Sequence, residues 1–165
     1  MAASNGNTTA LVIDVPQGGQ VIRTFNLTPS QPANGKAGDW LWVDSATPGT
    51  ALAKVNVKFN VKSSALEQEF ERAVLVINLQ QNPEESGYWR FAMNGVAINP
   101  KFKDVYHNVD FEVVDDGETL IAYVQVIGMT QEDIQFGFVA SYTDAVSGAV
   151  AIYESADPGI QPGRP

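Results

Sequence analysis

Hydrophobic and polar side chains alternate one by one along the segment LAKVNVKFNVK at residues 52–62. Val55, Val57, Phe59 and Val61 occupy one side of this alternation, and Asn and Lys residues occupy the other. A period of two is the repeat of a β-strand, in which successive side chains point to opposite faces. The segment therefore predicts a strand with one buried face and one solvated face.

Similar strand signals follow, separated by residues that favour turns. RAVLVINL at residues 72–79 is a continuous aliphatic run of strand length, which is typical of a strand deep in the packing. Asn94-Gly95 lies between two hydrophobic runs and predicts a two-residue type I′ hairpin turn, because both residues tolerate positive φ angles. Further hairpin turns are predicted at residues 115–118 and, more loosely, at residues 143–148.

The earlier part of the chain adds shorter elements. TALVIDV and VIRTFNL flank a predicted turn at residues 16–19, and WLWV at residues 40–43 is a short strand. Leu66 and Phe70 lie four residues apart after two serines that can cap a helix, so one or two helical turns are predicted there. Together these segments predict an all-β protein, an antiparallel β-sandwich that is immunoglobulin-like or related, with about ten short strands and at most one short helix.

Length and composition limit the organisation of the chain and its partners. A chain of 165 residues, 44% of them hydrophobic, suits a single domain over residues 1–165. Nineteen acidic residues against ten basic ones give a formal charge of -9, which repels nucleic acid and anionic membrane surfaces. The sequence has no cysteine, no signal-peptide pattern and no hydrophobic run long enough to span a membrane, so we expect a cytoplasmic protein without thiol chemistry.

The final residues, YESADPGIQPGRP, are rich in proline and glycine. Pro158, Pro162 and Pro165 cannot donate to a β-ladder, and proline is rare in inner strands. We therefore predict that an extended tail, residues 154–165, leaves the sheet after Tyr153 and runs along its rim or into solvent.

The same ending resembles that of the DP-EP family of small bacterial domains. In that family a strand is followed by Ser, one residue, Asp-Pro, one residue and Ile, and then by a finish rich in Gly and Pro. Ser155, Asp157, Pro158 and Ile160 carry the resemblance, although no Glu-Pro pair follows and Pro162 is preceded by glutamine. The resemblance implies a bacterial β-sandwich and transfers no catalytic residues.

Few residues suggest catalysis. His107 is the only histidine, so a hydrolase would need it as the general base beside a serine or a carboxylate, and a metal site built from several histidines is excluded. Five acidic residues are candidates for a carboxylate pair: Asp110, Glu112, Asp115, Asp116 and Glu118. The last three lie in a predicted turn, where Asp is favoured for backbone reasons. We expect a solvated turn there, with no catalytic residue, no metal and no cofactor.

The three tryptophans are the strongest candidates for ligand binding. Trp40 and Trp42 are two residues apart and share one side of a strand, and Trp89 lies next to Tyr88 at the start of a predicted hairpin. Aromatic rings flanked by Asn and Asp hold sugars in many β-sandwiches. The same residues also fill sandwich cores, and we expect core or interface positions for at least two of the three.

The leading functional hypothesis is a non-enzymatic β-sandwich module that binds a protein partner, or forms a homo-oligomer, through a sheet face or edge. The alternative is a carbohydrate-binding domain that uses Trp40, Trp42 or Trp89 on its surface. A hydrolase that uses His107 ranks last. The three hypotheses differ in what must be accessible to solvent, which is a sheet edge, a tryptophan ring or the histidine.

Overall fold

The computed structural model describes residues 9–32, 40–98, 109–128, 130–131, 134–156 and 158–164. The strands in these ranges form two packed sheets: β1 (Thr9–Asp14), β2 (Gln20–Thr28), β3 (Leu41–Asp44), β4 (Leu52–Lys58), β5 (Arg72–Leu79), β6 (Tyr88–Ile98), β7 (Val109–Val114), β8 (Thr119–Val124), β9 (Thr130–Gln131), β10 (Ile134–Thr143), β11 (Val150–Glu154) and β12 (Gly159–Arg164). The helix α1 (Ala65–Phe70) has six residues, and no helix in the described ranges is long enough to cross a membrane. The predicted all-β sandwich is confirmed.

The larger sheet has seven strands within the described ranges, and its centre is parallel. β1, β4 and β12 lie side by side in one direction, while β12 pairs antiparallel with β9 and β10. β10 pairs antiparallel with β6 along one side and with β11 along part of the other. The parallel pairs depart from the antiparallel prediction, because long connections, and not hairpins, join β4 to its neighbours.

The smaller sheet has the order β3-β2-β5-β8-β7. β2 and β5 run parallel, and the other neighbours run antiparallel. The inner side chains of both sheets pack into one core, in which Phe25, Leu75, Trp89 and Phe136 have no exposed surface. The core therefore lies between the sheets, and the outer faces and edges remain for function.

The predicted alternation along β4 is confirmed as far as the ladder extends. Val55, Val57 and Phe59 are buried in the core, whereas Val61 lies in the turn that follows and is exposed. The short helix is also confirmed. Its capping residue is Ser64, whose side chain and backbone both exchange hydrogen bonds with Glu67.

The predicted hairpin turn at Asn94-Gly95 is wrong. Residues 88–98 form one strand, β6, which pairs with β10 both before and after this dipeptide. Met93 has φ of 58° and Gly95 has φ of 84°, at the point where the register against β10 shifts. Positive φ angles suit a β-bulge as well as a turn, so Asn-Gly predicts the backbone angles but not a reversal of the chain.

The other two predicted hairpin turns are confirmed. Asp115–Gly117 form a 3-10 turn between β7 and β8. Residues 144–149 close the hairpin of β10 and β11, where the Asp144 carboxylate accepts hydrogen bonds from the amides of Ser147 and Val146. These amides hold the pKa of Asp144 below its usual value.

The prediction that the chain leaves the sheet after Tyr153 is wrong. Residues 159–164 form β12, an inner strand that is buried at every position except Gln161. Within the described residues, β10 pairs with Gly159 and Ile160 and β9 pairs with Gly163 and Arg164, while Pro162 lies opposite Val57 in the parallel ladder with β4. The strand thus accommodates a proline at an inner position, although prolines in sheets are usually found at edges.

A buried ion pair fixes the end of β12. The side chains of Arg164 and Glu71 are 2% and 0% exposed, and Nη2 of the arginine lies 2.7 Å from Oε1 of the glutamate. Arg164 also donates to the carbonyl oxygens of Asn60 and Val126, and its guanidinium lies over the ring of Phe59. The pair thereby joins β12 to the segments on both sides of α1 and to the segment after β8.

The loop groups around Glu71 complete this arrangement. Ser63 Oγ and the amide of Gly18 both donate to Oε2 of Glu71. Burial raises the pKa of the Glu71 carboxyl, but the hydrogen bonds from Ser63, Gly18 and Arg164, with the arginine charge, outweigh burial and lower the pKa below its ordinary value of 4.5. The carboxylate is therefore ionised at neutral pH despite its burial.

Candidate functional site

Two of the three candidate tryptophans lie inside the core. Trp42 is 2% exposed and Trp89 is 0% exposed, which confirms the expectation of buried positions for at least two of the three. Trp40 is partly buried, and its Nε1 donates to the carbonyl of Ser30 at 3.0 Å. The surface positions that the carbohydrate hypothesis assumed for Trp42 and Trp89 are wrong, because neither ring offers a face to solvent.

The aromatic rings contact one another through the core. The ring of Trp89 packs against Trp40, Tyr142 and Tyr153, at centroid distances of 5.5, 5.0 and 5.7 Å. The ring of Trp42 packs against Phe25 and Phe138, at 5.6 and 5.5 Å. A cavity of about 170 Å³ beside Trp40 and Trp42 is smaller than typical ligand sites, which measure roughly 300–1,000 Å³.

The candidates for catalysis divide into two groups. His107 lies outside the described residues, and its role stays a prediction. The acidic turn is exposed: Asp116 pairs with Arg90 at 3.4 Å, and Glu118 accepts a hydrogen bond from the Tyr88 hydroxyl at 3.0 Å. Within the described ranges, no three His, Asp or Glu side chains come together as metal ligands.

A cleft of about 710 Å³ lies beside β1, β4 and β12. Its lining is mixed: Asp14, Asn56, Lys58 and Gln161 supply polar groups from the three neighbouring strands, and Val15, Val57, Phe59 and Val61 supply apolar surface. Oδ1 of Asn56 is buried and has no hydrogen-bond partner in the described part of the chain. The alternation in β4 predicts outward positions for Asn56 and Lys58, but no sequence signal brings β1 and β12 beside them.

The hairpin of β10 and β11 exposes an uncharged edge. Residues 145–152 are all exposed, and residues 145–153 include no charged side chain. Val146, Val150 and Ile152 are 95%, 63% and 60% exposed. An exposed apolar edge strand without charge or proline is a template for a strand from another chain.

The ladder with β10 leaves the other side of β11 open. The hydrogen bond from Asp144 N to Ala149 O fixes the phase of this antiparallel ladder. Bonded positions alternate along such a strand, so the odd-numbered residues of β11 bond to β10. The amide and carbonyl groups of Val150 and Ile152 point the opposite way, where no described strand lies.

No feature of the sequence identifies β11 as an exposed edge strand. The segment AVAIY at residues 149–153 is as apolar as a buried strand. The alternation of Val150 and Ile152 with Ala151 and Tyr153 does not show whether other strands lie on one side of it or on both. Only the order of strands shows that this segment lies at an edge.

The residues that carry the family resemblance lie where the chain passes from β11 to β12. Ser155 Oγ accepts a hydrogen bond from Phe138 N at 2.8 Å, and the carbonyl of Pro158 accepts one from another β10 amide at 3.2 Å. Ile160 is fully buried. Asp157 lies outside the described residues. The motif therefore holds two consecutive strands against β10.

Comparisons with known proteins give one informative result. The comparison with curated proteins finds no match. Among solved structures, the crystal structure of a cysteine protease inhibitor from Entamoeba histolytica aligns with 88% of this chain and 97% of its own, at 7% identity and a TM-score of 0.25. The model of the DP-EP family matches residues 9–164.

Proposed function

The chain belongs to the DP-EP family, and we propose that it is a non-enzymatic protein-binding module that docks through the exposed edge of β11. The observation that carries this proposal is the row of outward backbone groups at Val150 and Ile152, flanked by their exposed apolar side chains. Added strands gain affinity from main-chain hydrogen bonds and specificity from alternate side chains. β11 offers both at one edge.

Several buried polar side chains have structural roles, which supports a binding function over a catalytic one. Arg164 and Glu71 satisfy each other, and Ser155 bonds the β10 backbone. Asp44 is paired with Arg23 at the edge of the smaller sheet. These side chains are therefore engaged in holding strands together.

Photo-crosslinking in cells of the source organism tests the proposal. A benzoylphenylalanine at position 152 should give a crosslinked product of defined mass, and the same residue at position 22 should give none. Ile22 is a control of similar exposure, 66%, that lies on the other sheet opposite Val74 of β5. The product should disappear when Val150→Lys is added. Equal products at positions 152 and 22, or none at either, would refute the proposal.

The cleft beside β1, β4 and β12 favours a second candidate function, the binding of a small hydroxyl-rich ligand such as a sugar. A buried acceptor without a partner costs ~1–3 kcal/mol, and a ligand hydroxyl that donates to Asn56 Oδ1 would recover part of this cost. The carbohydrate hypothesis thus moves from the tryptophans to Asn56 and Gln161. Titration of a set of trisaccharides, followed by NMR, should shift the Asn56 and Gln161 amide signals, and Asn56→Ala should abolish the shifts.

A further inference from the structure

We propose that the partner at the β11 edge is β11 of a second copy of this chain, paired antiparallel with a twofold axis at Ala151. This inference rests on the proposed function and specifies its partner. It follows from the phase of the β10 ladder, from the side chains that each register would bring together, and from the distribution of charge.

The phase of the ladder limits the registers that are available. Only the even-numbered residues of β11 have outward amide and carbonyl groups, so an added antiparallel strand must bond to Val150, Ile152 or Glu154. For two identical strands this condition allows twofold axes at Val150, at Ala151 or at Ile152. The outward backbone groups can form hydrogen bonds in each of these registers. The registers therefore differ only in which side chains they bring together.

An axis at Ala151 gives the best set of cross-strand neighbours. Val150 then lies opposite Ile152 of the second copy, and the reciprocal pair forms at the same time, so that four apolar side chains meet on one face. Glu154 lies opposite Gly148, where no side chain opposes its carboxylate. An axis at Ile152 would place Glu154 against Val150 twice, and an axis at Val150 would place Ile152 against Gly148 twice.

The charge of the chain also favours this contact between copies. Two chains that each carry a formal charge of -9 repel each other, and the repulsion is smallest where the meeting surfaces carry no charge. Residues 145–153 form such a surface. A strand pair of this length buries less than the roughly 1,200 Å² of a stable interface, so the dimer should be weak, with a dissociation constant in the micromolar range or above it. Added salt should strengthen it, because salt screens the repulsion.

A single introduced cysteine tests the register, because the chain has no cysteine of its own. Ala151→Cys places two thiols at the axis, at a non-hydrogen-bonded pair with Cα atoms about 4.5 Å apart, within disulfide reach. Ala149→Cys is the matched control. In this register its two thiols are displaced by four residues, about 13 Å, which is beyond disulfide reach. Under mild oxidation the Ala151→Cys dimer should form at least tenfold faster than the Ala149→Cys dimer.

Sedimentation equilibrium of the protein without cysteine supplies the second measurement. Dimer should increase with concentration between about 5 and 200 μM, around the affinity expected above. Ile152→Lys should weaken dimerisation at least tenfold, whereas Ile22→Lys should leave it unchanged, with circular dichroism showing that both variants are folded. A monomer throughout this range, or equal oxidation of the two cysteine variants, overturns the inference.

The photo-crosslinking experiment separates this inference from the proposed function. A product at position 152 with twice the mass of the chain supports both. A product of another mass supports strand addition by a different protein and overturns the self-pairing. The absence of any product overturns both.

Discussion

β11 and β12 are consecutive strands on the same side of β10, yet their surroundings are opposite. β12 lies between β4 and the β9–β10 segment, with the final Arg164 side chain buried against Glu71. β11 has one neighbour among the described strands, and the hairpin tip before it is exposed from residue 145 onwards. β12 is therefore an inner strand of the larger sheet, whereas β11 is an edge strand among the described residues.

Hydrophobicity does not explain this difference, since β11 has the sequence VAIYE and β12 has GIQPGR. β12 is an inner strand because β4 supplies a parallel ladder and Glu71 supplies a partner for its charge. Long-range partners, and not the composition of a strand, therefore determine its position in the sheet.

The largest effect should come from breaking the anchor of β12. Arg164→Ala leaves the Glu71 carboxylate buried without its cation, which should lower the free energy of unfolding by ~3–5 kcal/mol. Urea unfolding followed by tryptophan fluorescence measures this loss. Arg72→Ala, at an exposed arginine on β5, is the control and should change stability by less than ~0.5 kcal/mol. Equal urea midpoints for the two variants would contradict the role of the ion pair.

Acid should weaken the same anchor gradually. The pKa of Glu71 is lower in the folded chain than in the unfolded chain, so its contribution is complete above pH 4.5 and is lost as the pH falls through the folded pKa. The wild-type chain should be more stable than Glu71→Gln at pH 7, and the gap should narrow between pH 5 and the lowest pH at which both fold. Urea midpoints measured across this range test the prediction, and a gap independent of pH would refute it.

A smaller effect is expected at the junction between the two strands. Ser155→Ala removes the acceptor for the buried Phe138 amide and should cost ~1–3 kcal/mol. Hydrogen exchange at this amide should accelerate by the corresponding factor. Ser141→Ala, at a serine that makes only a long 3.5 Å contact, should have little effect on stability. A Phe138 amide that stays protected in Ser155→Ala would show that Ser155 does not hold the junction.

The smallest effect on stability is expected on β11 itself. Val150→Lys should change the free energy of unfolding by no more than ~0.5 kcal/mol, because this side chain is already exposed to solvent. Thermal unfolding measured at low protein concentration, where self-association is negligible, checks this. A loss above ~1.5 kcal/mol would mean that Val150 packs within the single chain, and the contrast with β12 would then fail.

Local patterns predict most of the strands but not their arrangement. The run at residues 72–79 is β5 at the predicted residues, and the alternation at Val55 and Val57 correctly places these side chains in the core. Propensity and period describe a strand and its faces. They carry no information about which strand pairs with which, so the parallel centre of the larger sheet is visible only in the structure.

The errors in the sequence analysis have the same origin. Asn94-Gly95 has the expected positive φ at the glycine, but the tertiary pairing of β6 with β10 makes it a bulge. Pro162 suggests a strand end, but it lies inside β12, opposite Val57 of the parallel neighbour β4. Only the strand order identifies the candidate binding edge. The burial of Trp42 and Trp89, in contrast, agrees with the expectation that tryptophans fill the core of a β-sandwich.

The late position of β12 has a consequence for biosynthesis. Arg164 bonds to the carbonyl of Asn60, 104 residues earlier, and at ~5–20 residues per second a ribosome needs roughly 5–20 s to traverse that distance. Until then the nascent β4 lacks its neighbour β12, and Glu71 lacks its cation. The larger sheet can therefore be completed only after translation has reached β12.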